Sequence, residues 1–104
     1  MKRTKQTGVE LDASEERMIY AMQLLGDKTR FKIFKLLISD RNLCVTDIAA
    51  ELGITVSAVS QHFRNLELVG LVNKERVGQK ICYMLKREDL LVKELVSVIQ
   101  QGKI

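Results

Sequence analysis

Apolar residues fall at helical spacing through most of this chain, switch to alternate positions near residue 71, and return to helical spacing from residue 89. Ser14, followed by Glu15 and Glu16, is the expected cap of a first helix with Met18, Ala21, Met22 and Leu25 at i, i+3, i+4 and i+7. Gly26-Asp27 interrupts it. A second helix over 29–38 sets Phe31, Phe34, Leu37 and Ile38 on one face, with Arg30, Lys32 and Lys35 off it, and ends near Ser39-Asp40-Arg41-Asn42. Leu43-Cys44-Val45 is too short to classify by period. Thr46 is then the expected cap of a helix over 47–52 carrying Ile48, Ala49 and Leu52, and Gly53 ends it because a tight turn there calls for positive φ. The next helix covers 55–69, with Val59, Phe63 and Leu66 inward, and Gly70 closes it.

Residues 71–77 and 80–85 flank the turn Gly78-Gln79. In the second run Ile81, Tyr83 and Leu85 alternate with Lys80, Cys82 and Met84, the period of a β-hairpin. A last helix over 89–100 carries Leu91, Val92, Leu95, Val96, Val98 and Ile99. Helix, helix, short extended segment, helix, glycine turn, helix, hairpin, helix is the winged helix-turn-helix order. The expected fold is mainly α with a small β-hairpin, five helices in one domain over 14–104, preceded by a basic, flexible tail over 1–13.

Once Val59, Phe63 and Leu66 turn inward, the helix over 55–69 leaves Ser57, Ser60, Gln61 and Arg64 outward. Gln can pair with adenine and Arg with guanine in a bidentate manner, and Ser can donate or accept, so this face suits base edges in double-stranded DNA. Thr55 and Ser57, near the helix start, suit phosphate, where the backbone N–H groups also point. Lys74, Arg76 and Lys80 around Gly78 suit a wing that reaches phosphate or the minor groove. His62, the chain's one histidine, sits at the margin of the buried face, where a packing hydrogen bond or a phosphate contact fits better than metal ligation.

The net charge of +4 favours a polyanionic partner, although a solvated surface accounts for it as well. Lys2, Arg3 and Lys5 open the chain like a signal peptide, but no apolar segment follows them and no apolar run approaches the ~18 residues of a membrane span. The expected location is the cytoplasm, without membrane attachment. Two cysteines without a secretory signal then argue for reduced thiols over a structural disulfide. One histidine, no Gly-rich phosphate loop and no paired acid and base assemble no catalytic site, so an enzyme is the weakest option.

The run Leu25-Gly26-Asp27-Lys28-Thr29-Arg30-Phe31-Lys32-Ile33, and residues 56–72 including Ser60-Gln61-His62, resemble the arsenical-repressor (ArsR/SmtB) family, with Lys28 where that family usually has proline. The resemblance covers about residues 14–100. It implies a homodimer built from the first and last helices, and a repressor released from its operator by an effector. The two adjacent apolar stripes of the last helix support the dimer independently, and the expected interface is Met18, Met22, Leu91, Leu95, Val98 and Ile99. A purely core role for those stripes stays open.

Metal sensors of that family often carry Cys-Val-Cys where this chain has Cys44-Val45-Thr46, and Cys82 is the one other thiol. Three-coordinate arsenite or antimonite needs more thiolate than one cysteine supplies. The family's other common site uses histidines and carboxylates on the last helix, where this chain offers Asp89 and Glu94 without a histidine. No metal ligands and no cofactor are therefore assigned. If the segment at 43–45 pairs with the strand at 80–85, Cys44 and Cys82 fall on one side of adjacent strands, a candidate thiol sensor whose oxidation, or capture of a soft ion, shifts the wing relative to the reading helix and releases the repressor. Two ordinary buried cysteines are the alternative, and the effector stays unnamed. The competing function is a winged helix used as a protein–protein module that does not bind DNA.

Overall fold

The computed structural model describes residues 9–40 and 43–102. Lys2, Arg3 and Lys5 of the basic tail, and Arg41-Asn42 at the expected end of the second helix, lie outside the described residues. The order is α1 (Ala13–Leu25), α2 (Lys28–Ser39), β1 (Leu43–Cys44), α3 (Val45–Leu52), α4 (Val56–Leu68), β2 (Val72–Val77), β3 (Lys80–Leu85) and α5 (Leu90–Gln100).

Helix α1 starts from Asp12, not from Ser14. The Asp12 carboxylate accepts from the Glu15 N–H at 2.8 Å, and the Glu15 side chain accepts from the Asp12 N–H at 3.0 Å. Asp12 wins because it has a glutamate three residues on and can close this reciprocal box, whereas Ser14 has Arg17 there. Ser14 instead donates its hydroxyl to Asp12 at 2.8 Å. Helix α3 also begins earlier than expected: Cys44 holds the N-cap position without a side-chain bond, which puts Thr46 inside the first turn. At Gly53, φ is 68°, the left-handed turn that separates α3 from α4.

The core gathers Ile33, Phe34 and Leu37 from α2, Val59, Phe63 and Leu66 from α4, and Leu71, Val72 and Leu85 from the sheet region. Each such side chain, fully withdrawn from water, contributes about 1.5–3 kcal/mol. Phe31, expected inward, is 36% exposed, while Ile33 is fully buried. Apolar residues at 31, 33, 34, 36, 37 and 38 leave two helical phases open, and packing into the common core selects the one with Ile33 inside.

Three helix ends are held by arginines from elsewhere in the chain. Arg30 Nε donates to the Leu24 carbonyl at the end of α1 at 2.8 Å. Arg87 Nη2 donates to the Leu37 and Ile38 carbonyls of α2 at 2.8 and 3.1 Å. Arg17 reaches the end of α4, where its Nε donates to the Val69 carbonyl at 2.8 Å and its Nη2 to the Gly70 carbonyl at 3.0 Å. Carbonyls with lone pairs to spare and the negative end of the helix dipole make each site favourable for a guanidinium.

The sheet is antiparallel in the order β1-β3-β2. Leu43 pairs with Tyr83 and Cys44 with Cys82. In the hairpin, Lys74 lies opposite Tyr83, Arg76 opposite Ile81 and Val77 opposite Lys80. The expectation of reduced thiols is corrected here, because Cys44 and Cys82 form a disulfide. Direct cross-strand pairing sets the two residues opposite each other on one side of the sheet, where their sulfurs meet. Simple alternation also fails along β3. Cys82 is as buried as Tyr83 and Leu85, because β3 is the middle strand and the bond to Cys44 covers its sulfur.

Candidate nucleic-acid interface

Thr55 is the N-cap of α4, its Oγ1 accepting from the Ala58 N–H at 3.0 Å, which engages one lone pair and leaves the O–H as a donor. From that start Val59, Phe63 and Leu66 turn into the core, and Ser57, Gln61 and Arg64 stand exposed with Ser60 half-buried. Arg64 Nη1 donates to Gln61 Oε1 at 3.1 Å, and Gln61 Nε2 donates to Asn65 Oδ1 at 3.4 Å. A short polar chain therefore runs along the outer face and limits the rotamers of the two long side chains before any ligand arrives. Asn65 is absent from the sequence-based site, although its i+4 relation to Gln61 was a usable signal.

The wing is set against this helix by one aromatic contact. Phe63 of α4 and Tyr83 of β3 stack with ring centroids 4.1 Å apart and planes 8° apart. Because Lys74 faces Tyr83 across the strands and Arg76 faces Ile81, both cations share the sheet face that packs on α4. A cleft of about 360 Å³ lies between helix and hairpin, lined among others by Val56, Ser60, Arg64, Lys74 and Lys80. Four of the nine sequence-predicted DNA contacts thus meet in one concavity. Thr55, Ser57, Gln61, His62 and Arg76 lie outside its lining. Lys80 already has a partner, since its Nζ is 3.7 Å from the Asp47 carboxylate on α3 in an exposed ion pair.

His62 is half-buried and turned toward α2, where Arg30 Nη1 lies 3.4 Å from its Nδ1. With the guanidinium donating, the neutral ring carries its proton on Nε2. Burial pushes the His62 pKa below its ordinary 6.5, the Arg30 charge adds to this, and the Asp27 carboxylate partly opposes it. A histidine disfavoured as a cation leaves stability intact above pH 6.5 and erodes it as pH falls below that value. The carboxylates act in a lower window. Bonds from backbone N–H groups hold Asp12 and Asp27 below 3.8, and at Asp89 burial works upward but the Arg17 hydrogen bond and the Val92 N–H outweigh it. Their contribution is present above pH 3.8 and lost beneath it. Urea midpoints against pH should therefore fall in two stages, and His62→Gln should flatten the stage starting near pH 6.5 while keeping the acidic one. A single stage in both proteins contradicts this.

The expected dimer residues divide into two groups. Met18 and Met22 on α1 and Val98 on α5 are 38%, 57% and 63% exposed, whereas Leu91, Leu95 and Ile99 are partly buried against the core. Ile19, Tyr20 and Leu90 are also exposed, and the sequence reading missed them because they fall off the stripes it counted. Among the described residues no helix is long and apolar enough to cross a membrane.

Residues 27–74, from the cap of α2 through the first half of β2, match the model of the bacterial regulatory protein family arsR. A cadmium resistance transcriptional regulatory protein from Listeria innocua is 32% identical over 69 residues, covering 66% of this chain and 58% of that protein. The chain therefore spans less than two thirds of that relative's length. A transcriptional repressor SmtB homolog from Synechocystis is 30% identical over 89 residues, or 84% of this chain and 67% of that protein. A solution structure from Mycobacterium bovis, described as the homodimeric winged helix-turn-helix DNA-binding domain of a possible ArsR-family regulator, superposes with a TM-score of 0.75 at 23% identity. It covers 97% of this chain and 86% of that one. With the helix-turn-helix, the wing and these relatives in agreement, the chain belongs to the ArsR/SmtB family of transcriptional regulators, and its fold is a winged helix.

Proposed function

We propose that this chain is a cytoplasmic, homodimeric repressor that binds an inverted-repeat operator in double-stranded DNA. Helix α4 enters the major groove with Ser57, Ser60, Gln61 and Arg64 toward base edges. Thr55, His62, Lys74, Arg76 and Lys80 meet the backbone on either side. The observation that carries this reading is the cleft that holds Ser60, Arg64, Lys74 and Lys80 together between reading helix and wing. Met18, Met22, Leu91, Leu95, Val98 and Ile99 form the dimer contact, and the M. bovis homodimer supports that assembly. In such a dimer the two reading helices sit about 34 Å apart, one turn of DNA.

Cys44 and Cys82 supply the control. Cys44 is the N-cap of α3, and Cys82 precedes the tyrosine stacked on α4, so the bond ties the first helix of the motif to the wing. A dithiol reductant attacks the half-buried Cys44 sulfur, since Cys82 is fully buried. Cys82 leaves as a thiolate and takes a proton. The reductant's second thiol then closes its own disulfide and releases Cys44, two electrons having passed to the protein. Without the bond the wing keeps the two pairs of β1, the Phe63–Tyr83 stack and the Lys80–Asp47 pair but loses its covalent tie to α3, so operator affinity falls on reduction, the opposite sense to release by oxidation.

Operator titrations over a salt series, with oxidised and dithiol-reduced protein, test both parts. Expected for the oxidised form is a log–log salt slope steeper than about −4, reflecting several phosphate contacts, with a shallower slope and weaker binding after reduction. Equal curves in the two states remove the switch, and an absence of salt-dependent binding removes the repressor in favour of a protein–protein module.

A further inference from the structure

Among the described bonds, those of Arg17 join all three elements whose relative placement matters to a dimeric reader. Arg17 projects from α1, meets the chain just past the end of α4 through the Val69 and Gly70 carbonyls at 2.8 and 3.0 Å, and pairs with Asp89 at 3.1 Å. Asp89 is in turn the N-cap of α5, accepting from the Val92 N–H at 3.1 Å. The Arg17 side chain is about one-third exposed and its bonds reach 52 and 53 residues along the chain. Gly70 supplies the backbone conformation there, since its φ of +80° is one that side-chain-bearing residues rarely adopt.

From this geometry we infer that Arg17 is a positioning residue that fixes the angle of α4 relative to the α1–α5 frame and thereby sets the half-site spacing the dimer accepts. The inference rests on the dimeric reading given above. Two bonds from one planar fork to successive carbonyls fix the end of α4 in direction as well as distance, and the Asp89 carboxylate holds the same fork against α5. The outward residues of α4 are untouched by Arg17, so each half-site is read as before when the fork is removed. What changes is the rigidity between the two readers. Inserting one base pair turns one half-site relative to the other by about 35°, a mismatch that a rigid pair refuses and a loosened pair absorbs.

Binding is measured to single half-sites and to duplexes carrying two half-sites with spacers lengthened or shortened one base pair at a time. The wild-type protein is expected to show a sharp optimum, losing at least tenfold in affinity one base pair away. Arg17→Gln should flatten that loss below about threefold, with half-site affinity within twofold of wild type. Asp89→Asn, which keeps an N-cap oxygen while removing the ion pair, should flatten it partially. Arg17→Lys serves if the glutamine variant does not fold: it keeps the charge but not the fork, and it should also flatten the profile. A sharp profile in the folded variants overturns the inference, as does an equal loss at half-sites and full sites. A wild-type protein with no spacer optimum overturns the dimeric reading itself, and the inference with it.

Discussion

Phe63→Ala destabilises the protein by about 3–5 kcal/mol, the usual cost of deleting a fully buried aromatic ring. Phe63 has no exposed surface, and its ring lies flat on Tyr83 at a centroid distance of 4.1 Å. A domain of this size holds roughly 5–15 kcal/mol in total, so the loss consumes much of what keeps it folded. The cost has two parts that can be separated. Most is transfer and cavity, and the aromatic pairing adds about 0.5–1.5 kcal/mol that a double-mutant cycle with Tyr83→Leu isolates. Urea or guanidinium unfolding reads the totals. A change under about 1 kcal/mol for Phe63→Ala means that the reading helix and wing are not joined through this stack.

Arg64→Ala acts on the opposite face of the same helix and spares the fold. A bidentate contact from arginine to guanine discriminates by about 1–3 kcal/mol, so operator affinity falls roughly ten- to a hundredfold while the unfolding midpoint stays put. Arg64 is exposed, and its described hydrogen bond is to Gln61, which explains the separation. Sequence preference is the sharper measure: replacing each base pair of a half-site in turn should reveal one position whose identity matters to wild type and not to the variant. A uniform loss across all sequences would assign Arg64 to phosphate instead.

The elements that repeat within a few residues were legible in the chain. The hairpin over β2 and β3 follows from period-two alternation around Gly78, and Gly53 marks the turn because only a residue without Cβ adopts its φ of 68° cheaply. Even the Cys44–Cys82 pairing follows from strand phase, although a reducing compartment would disfavour the bond. Compartment describes where disulfides are common, whereas strand register describes which sulfurs can meet. Less legible were choices between local equivalents. Asp12 and Ser14 both suit an N-cap and Glu15, three residues beyond Asp12, settles the choice locally, whereas the phase of α2, apolar on more than one side, was decided by partners distant in sequence.

The arginines were illegible for a stronger reason. Arg30 bridges to His62 across 32 residues, Arg87 to Leu37 across 50, and Arg17 to Val69 across 52. Helical and strand periodicities report neighbours within four residues, and an acceptor that is a backbone carbonyl leaves no mark in the sequence at all. In the candidate site, Ser57, Gln61 and Arg64 could be found by subtraction from the buried face of α4. The Lys80–Asp47 ion pair and the turn of His62 toward Arg30 required the packed structure.

That the arginine forks grip carbonyls has a consequence for how such a protein can change over generations. Among the described bonds, the end of α4 is anchored through main-chain oxygens that every residue type possesses, and the helix is held in place from within by Val59, Phe63 and Leu66. The outward positions 57, 61 and 64 are thereby released from any duty in seating the helix. A lineage can rewrite the sequence it recognises at those positions while inheriting the mounting intact, so new operators are reached without passing through unfolded intermediates.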